Sequence, residues 1–178
     1  MIGIRLLSNI EVLNPTSGNI DCDPKNLPYK VTGHKSVYSK AINAVITCGG
    51  EDEDYEYLSK CVLQRKGKNF PFPSMHAKRH RLTLHSISDT IFAIGGRPAW
   101  VFNGSPYKNT MEFINLNKSS EWTLQETPFS VYLHCSVTLS NHIIVTGGLD
   151  AKDNVSKMSS ASVSEIKFHE NQLSFTVN

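Results

Sequence analysis

Four cysteines, seven histidines, one acidic run and one aromatic loop are the groups in this 178-residue chain with chemistry to offer. No two cysteines form a Cys-x-x-Cys pair, so their spacing gives no zinc site. His76 and His80 are four apart, which matches a metal pair only on a helix. They sit instead in a loop that runs into a strand pattern, where a structural role is expected. A Gly-x-Ser-x-Gly elbow, a phosphate-cradling glycine loop and a His-Glu-x-x-His motif are all missing from the sequence. The expectation is therefore a non-enzyme with no catalytic residues, no metal and no cofactor. Binding is what the remaining residues can do. Trp100, Val101 and Phe102 stand beside Arg97 in an otherwise polar connection ending at Gly104, and Trp and Arg are the residue types enriched in binding hot spots. Trp100 could equally fold back as a lid over its own sheet. The run Glu51-Asp52-Glu53-Asp54-Tyr55 either attracts a basic partner or calcium, or is a solvated loop.

The elements that position these loops repeat. Ala44 to Cys48, Thr90 to Ile94 and His142 to Thr146 are apolar, mostly β-branched runs, and each ends in a glycine pair: Gly49-Gly50, Gly95-Gly96 and Gly147-Gly148. Runs without polar alternation describe strands buried on both faces. The two glycines permit φ > 0 or a close backbone approach. The pairs are 46 and 52 residues apart, and such a period marks one repeated four-stranded unit. A shorter strand precedes each run and begins at His34, His80 and His134, which reads as one repeat position. Ser39-Lys40, Ser88-Asp89 and Ser140-Asn141 read as the hairpin turns between the two strands. Third strands read as Glu56 to Gln64, Thr110 to Leu116 and Ala161 to Phe168. Fourth strands read as Phe70 to Phe72, Glu121 to Leu124 and Gln172 to Val177. No segment sustains a 3.6-residue period, so helix should be nearly absent.

This order of features resembles the kelch repeat: an apolar strand, Gly-Gly, an aromatic on the third strand, a Trp on the fourth, then Pro and an Arg or His. One unit matches through Ile46 to Gly50, Tyr57, Phe70, Pro73, Arg79 and His80. The next matches through Ile91 to Gly96, Phe113, Trp122, Pro128 and His134. Phe70 stands where the family usually has Trp, and no Trp follows Gly148. The resemblance implies an all-β fold, an arc of a kelch-type β-propeller with the strands before the glycine pairs near the axis. It divides the single domain 1–178 into a half blade at 9–33 and blades at 34–79, 80–133 and 134–178. Closed propellers usually have four to eight blades, so three and a half blades leave open edges. The chain is expected either to be a fragment of a longer protein or to self-associate through those edges.

The loops between second and third strands share a face with the links between blades, and in the family that face is the usual partner site. The resemblance thus implies a protein-interaction module whose contact residues are Arg97, Trp100, Phe102, Asp54, Tyr55 and Asp150. The partner would be a protein or peptide. The alternatives are a non-catalytic structural remnant, a piece of a larger secreted kelch protein or, remotely, a piece of an enzyme like galactose oxidase. The Tyr, Cys and His set of that enzyme family has no counterpart here.

Cys48 ends one apolar strand and Cys61 lies on the next, across a loop of about Glu51 to Tyr55. Opposed Cβ atoms in a sheet lie about 4.5–5.5 Å apart, against about 3.5–4.5 Å in a disulfide, so joining them needs local twist. A set of secreted invertebrate kelch proteins is similar here, with Cys before Gly-Gly and a second Cys about a dozen residues on. Both a disulfide and two free buried thiols fit the sequence. Cys22 and Cys135 have no evident partners.

The chain carries 18 basic and 16 acidic residues, a net charge of +2, which makes no electrostatic case for nucleic acid. No apolar run approaches the roughly 20 residues that span a bilayer, and the first residues do not make a signal peptide. Three Asn-x-Ser sequons, at Asn103, Asn117 and Asn154, are about what a Ser-rich chain holds by chance. They leave cytoplasmic and secreted locations both open.

Overall fold

The computed structural model describes residues 8, 10–13, 20–23, 26–98, 109–150, 163–169 and 172–177. Among them there is no helix. Three four-stranded antiparallel sheets carry the fold. After a two-stranded pair, β1 (Ile10–Leu13) and β2 (Ile20–Asp23), the first sheet runs β3 (Lys35–Ser39), β4 (Ala44–Cys48), β5 (Cys61–Arg65) and β6 (Lys68–Phe72), each paired with the next. A link strand, β7 (Arg79–His80), leads to β8 (Thr83–Ile87) and β9 (Thr90–Ile94). A short β10 (Arg97–Pro98) follows, and then β11 (Thr110–Asn115) and β12 (Thr123–Glu126) complete the second sheet. The third repeats the plan: link β13 (Val131–Tyr132), β14 (Cys135–Leu139), β15 (His142–Thr146), short β16 (Leu149–Asp150), β17 (Val163–His169) and β18 (Gln172–Val177). These are propeller blades.

All five residues of β9 are buried, as its unbroken apolar run requires of a strand covered on both faces. One face, with Leu84, Ile91, Ala93 and Ile114, packs on Ile46, Cys48, Cys61 and Met75 of the first unit. The other, with Phe92, Ile94 and Met111, packs on Ile143, Val145 and Ile166 of the third. The second sheet is thus sandwiched between its neighbours, as stacked repeats demand.

Three readings of the sequence are corrected. The strands before the glycine pairs lie second in each sheet. It is β8 that meets β3 on one side and β14 on the other, so the first strands are innermost. Secondly, His80 is not the counterpart of His34 and His134. The strand registers align Leu82 with those two, and His80 with Thr32 and Tyr132. The first hairpin turns through Lys40–Asn43, against Ser88-Asp89 and Ser140-Asn141 in the others. Its two extra residues hid the offset. Thirdly, Tyr57 precedes the third strand and bridges to Glu51, whereas Phe113 sits inside β11 opposite Phe92. Leu63 holds the corresponding place in β5.

Candidate partner-binding face

Each glycine pair is followed by a segment that folds back on the link entering its own blade. Thr32 bridges Glu51, β7 pairs with β10, and β13 pairs with β16. These three small ladders bring link and loop to the same end of every sheet. The glycines make this geometry possible. Gly49, Gly50, Gly95, Gly96, Gly147 and Gly148 all have positive φ. The Gly50 and Gly96 amides donate to the carbonyls of Arg79 and Val131, on the link into the following blade, at 2.8 and 3.1 Å. A Cβ on Gly95 would run into the Val131 carbonyl and lie 2.7 Å from His134 Cε1.

Below this face the first two blades are tied by charge. Arg79 is buried, and its Nε donates to Glu112 Oε1 at 3.1 Å. Its other guanidinium nitrogens donate to the Gly95 and Thr110 carbonyls and to Thr110 Oγ1. Glu112, fully buried, also accepts from the His76 and Ala77 amides. His76 Nε2 bonds the Trp122 carbonyl at 2.7 Å, and the Trp122 indole donates to the Pro73 carbonyl. His76 and Trp122 therefore join neighbouring blades.

Of the residues expected to contact a partner, the structure presents Asp54 and Tyr55 at the surface. Asp52 Oδ1 accepts from the Asp54 and Glu56 amides at 3.1 and 3.0 Å, a local turn that projects Tyr55. That side chain is 81% exposed at a φ of +62°. A bulky residue in the left-handed region is uncommon. Arg97 is half-buried and pairs through its backbone with His80. Asp150 lies on β16 opposite Val131. Trp100 and Phe102 lie outside the described residues. So Asp54, Tyr55, Arg97 and Asp150 belong to loops or short strands at one end of the sheets.

His80 lies beneath this end, stacked on Tyr57 with ring centroids 5.0 Å apart. Burial, then the cations Arg81 and Arg97, lower its pKa to about 4. Its 3.7 Å approach to Glu51 is thus a contact of a neutral ring with a carboxylate at neutral pH, and not an ion pair. Cys48 and Cys61 are directly opposed in the β4–β5 register and joined as a disulfide, with Cα atoms 4.1 Å apart. The bond stiffens the base of the loop that carries Asp54 and Tyr55. Cys135 is free and exposed.

The sequence reading missed Glu112. Its strand, Thr-Met-Glu-Phe-Ile-Asn, gives no sign that the carboxylate points inward. Only the Arg at the end of the preceding link hints at a partner.

No family model matches the chain. Two curated relatives do. Both are named "Kelch repeat and BTB domain-containing protein 2". The one from cowpox virus strain GRI-90 is 28% identical over 147 residues, 79% of this chain. The one from strain Brighton Red is 27% identical over 152 residues, 77% of the chain. The chain spans about a quarter (26%) of the length of these relatives. A solved structure titled "Structure of YjhT", a propeller, superposes with a TM-score of 0.74 at 9% identity, covering 98% of this chain and 65% of that one. The chain is thus similar in sequence to kelch-repeat proteins and in fold to a kelch-type β-propeller.

Proposed function

We propose that this chain is a protein-interaction module that holds a protein or peptide partner against the end of the sheets formed by the link ladders. One observation carries the reading. The ladders gather loops from successive blades at one end, and there Tyr55 is held almost wholly exposed in a left-handed backbone conformation. A large exposed aromatic on a braced loop offers contact area at low entropic cost. The kelch-repeat relatives support an interaction scaffold in general terms. The contact set is Asp54, Tyr55, Arg97 and Asp150, together with Trp100 and Phe102 on sequence grounds.

Site-directed photo-crosslinking tests it. A photoreactive residue at position 55 or 97 should capture a partner when the chain is exposed to the proteins of its own cell. The same residue at Lys66 or Ser88, in hairpin turns at the strands' opposite ends, should not. Equal capture from both ends, or capture from the hairpin end alone, refutes the assignment of the face.

A further inference from the structure

The first strands of the three blades begin around a cleft of about 220 Å³, lined by Gly33, His34, Lys35, Arg81, Leu82, Leu133 and His134. The lining is a repeat feature. Gly33, Arg81 and Leu133 occupy the same place in successive blades and have φ of +64°, +59° and +57°. Arg81 donates its amide to the Gly33 carbonyl at 2.8 Å, which locks two of the three together. Lys35 and Arg81 are both exposed. Among the described residues neither has a carboxylate partner, and the lining contains no acidic side chain. Glu53 and Glu56 pair elsewhere, with Lys30 and Lys78 at 2.8 and 3.1 Å.

We propose that this cleft binds a carboxylate carried on an acidic side chain of a polypeptide, with Lys35 and Arg81 as its cations and the exposed Leu133 against its methylenes. Two cations facing an open cleft without counter-charge attract an oxyanion, and a guanidinium can engage a carboxylate through two parallel bonds. The apolar Leu133 side favours an alkyl carboxylate over a bare inorganic ion. The surrounding histidines register the same field: Lys35 helps to lower the pKa of His34 and His134, and Arg81 that of His80, each after burial. The inference rests on the partner-binding reading only in its choice of a polypeptide as carrier.

The test is an amide NMR titration of the 178-residue chain with the blocked peptide acetyl-Glu-Glu-Glu-amide, its Gln counterpart and inorganic phosphate. The Glu peptide should give saturable shifts at Gly33, Arg81 and Leu133, and the Gln peptide should not. Lys35→Gln combined with Arg81→Gly should weaken binding about tenfold or more. The glycine reproduces the first blade at that position and keeps the positive φ, so the fold is retained. Phosphate saturating the site at lower concentration than the Glu peptide would assign it to a free oxyanion and overturn the choice of carrier. Absence of saturable shifts, or binding unchanged in the double variant, would overturn the site itself. Capture from position 55 together with absence of saturable shifts would sink this inference alone and leave the interaction face standing.

Discussion

Glu112 and Arg79 form a buried ion pair, Nε to Oε1 3.1 Å, that joins the second sheet to the link which enters it. Both partners are satisfied beyond each other, through the His76 and Ala77 amides on one side and the Gly95 and Thr110 carbonyls on the other. Such a pair contributes little relative to a well-packed apolar replacement, but breaking it leaves a buried charge. Glu112→Ala should therefore cost about 3–5 kcal/mol, read as a shift of the urea midpoint. A shift no larger than that of an exposed carboxylate such as Glu126 would contradict the arrangement.

The glycine pairs make a comparative prediction. Gly95 and Gly147 have nearly the same φ, +61° and +66°. A Cβ at Gly95 meets the Val131 carbonyl and the His134 ring, while at Gly147 it meets nothing among the described residues. Gly147→Ala should cost about 1–2 kcal/mol, the left-handed backbone penalty alone. Gly95→Ala should cost clearly more, because backbone must move. Equal thermal shifts for the two variants would show that backbone conformation, and not the link into the next blade, sets the demand for glycine.

Those glycines also explain what the sequence made legible. A strand buried on both faces and closed by two residues of positive φ writes itself as a run of mostly apolar residues before Gly-Gly, and three such runs in phase disclose the blades. Pairings across distance are not written that way. Glu112 meets Arg79 only because the link into the second blade folds back against that blade, and nothing local to Met111 and Phe113 marks the residue between them as inward. His80 looked equivalent to His34 because the first hairpin turn is longer, a difference that only the ladders Lys35–Cys48 and Thr83–Ile94 reveal. Nothing in the sequence links Lys35 to Arg81; the fold places them around one cleft.

The disulfide should matter to stability and to the loop above it. Cys48 and Cys61 are 13 residues apart, and a loop of about that size contributes roughly 3 kcal/mol in the chain-entropy account. For a domain of this size that corresponds to roughly 6–12 °C in Tm. Reduction, or Cys48→Ser with Cys61→Ser, should lower Tm by that order. Mass mapping under non-reducing conditions should show the 48–61 bond, with Cys135 alkylated. A protein whose Tm does not respond to reductant would refute the expectation.

Acid should destabilise the contact between the second and third blades. His85 shares hydrogen bonds with Ser136 and Thr138 at 2.7 and 2.8 Å, and His134 shares one with Thr83 at 3.0 Å. Burial is the first cause that lowers both rings to about 4; His134 then adds to the effect on His85, and Lys35 to that on His134. The folded state therefore holds them neutral while the unfolded chain takes up protons near the ordinary value of about 6.5. Between those limits the unfolded state binds more protons, so stability is full above about pH 6.5 and is lost as pH falls toward 4. Each ring adds at most about 1.4 kcal/mol per pH unit to that slope. Urea midpoints from pH 7 to 4.5 should fall, and His85→Asn should flatten the curve while lowering its neutral plateau, since one set of cross-blade hydrogen bonds is lost. A variant that parallels the parent at every pH would mean that His85 takes up its proton as readily in the folded chain as in the unfolded one, and that the polar seam between β8 and β14 tolerates the charge.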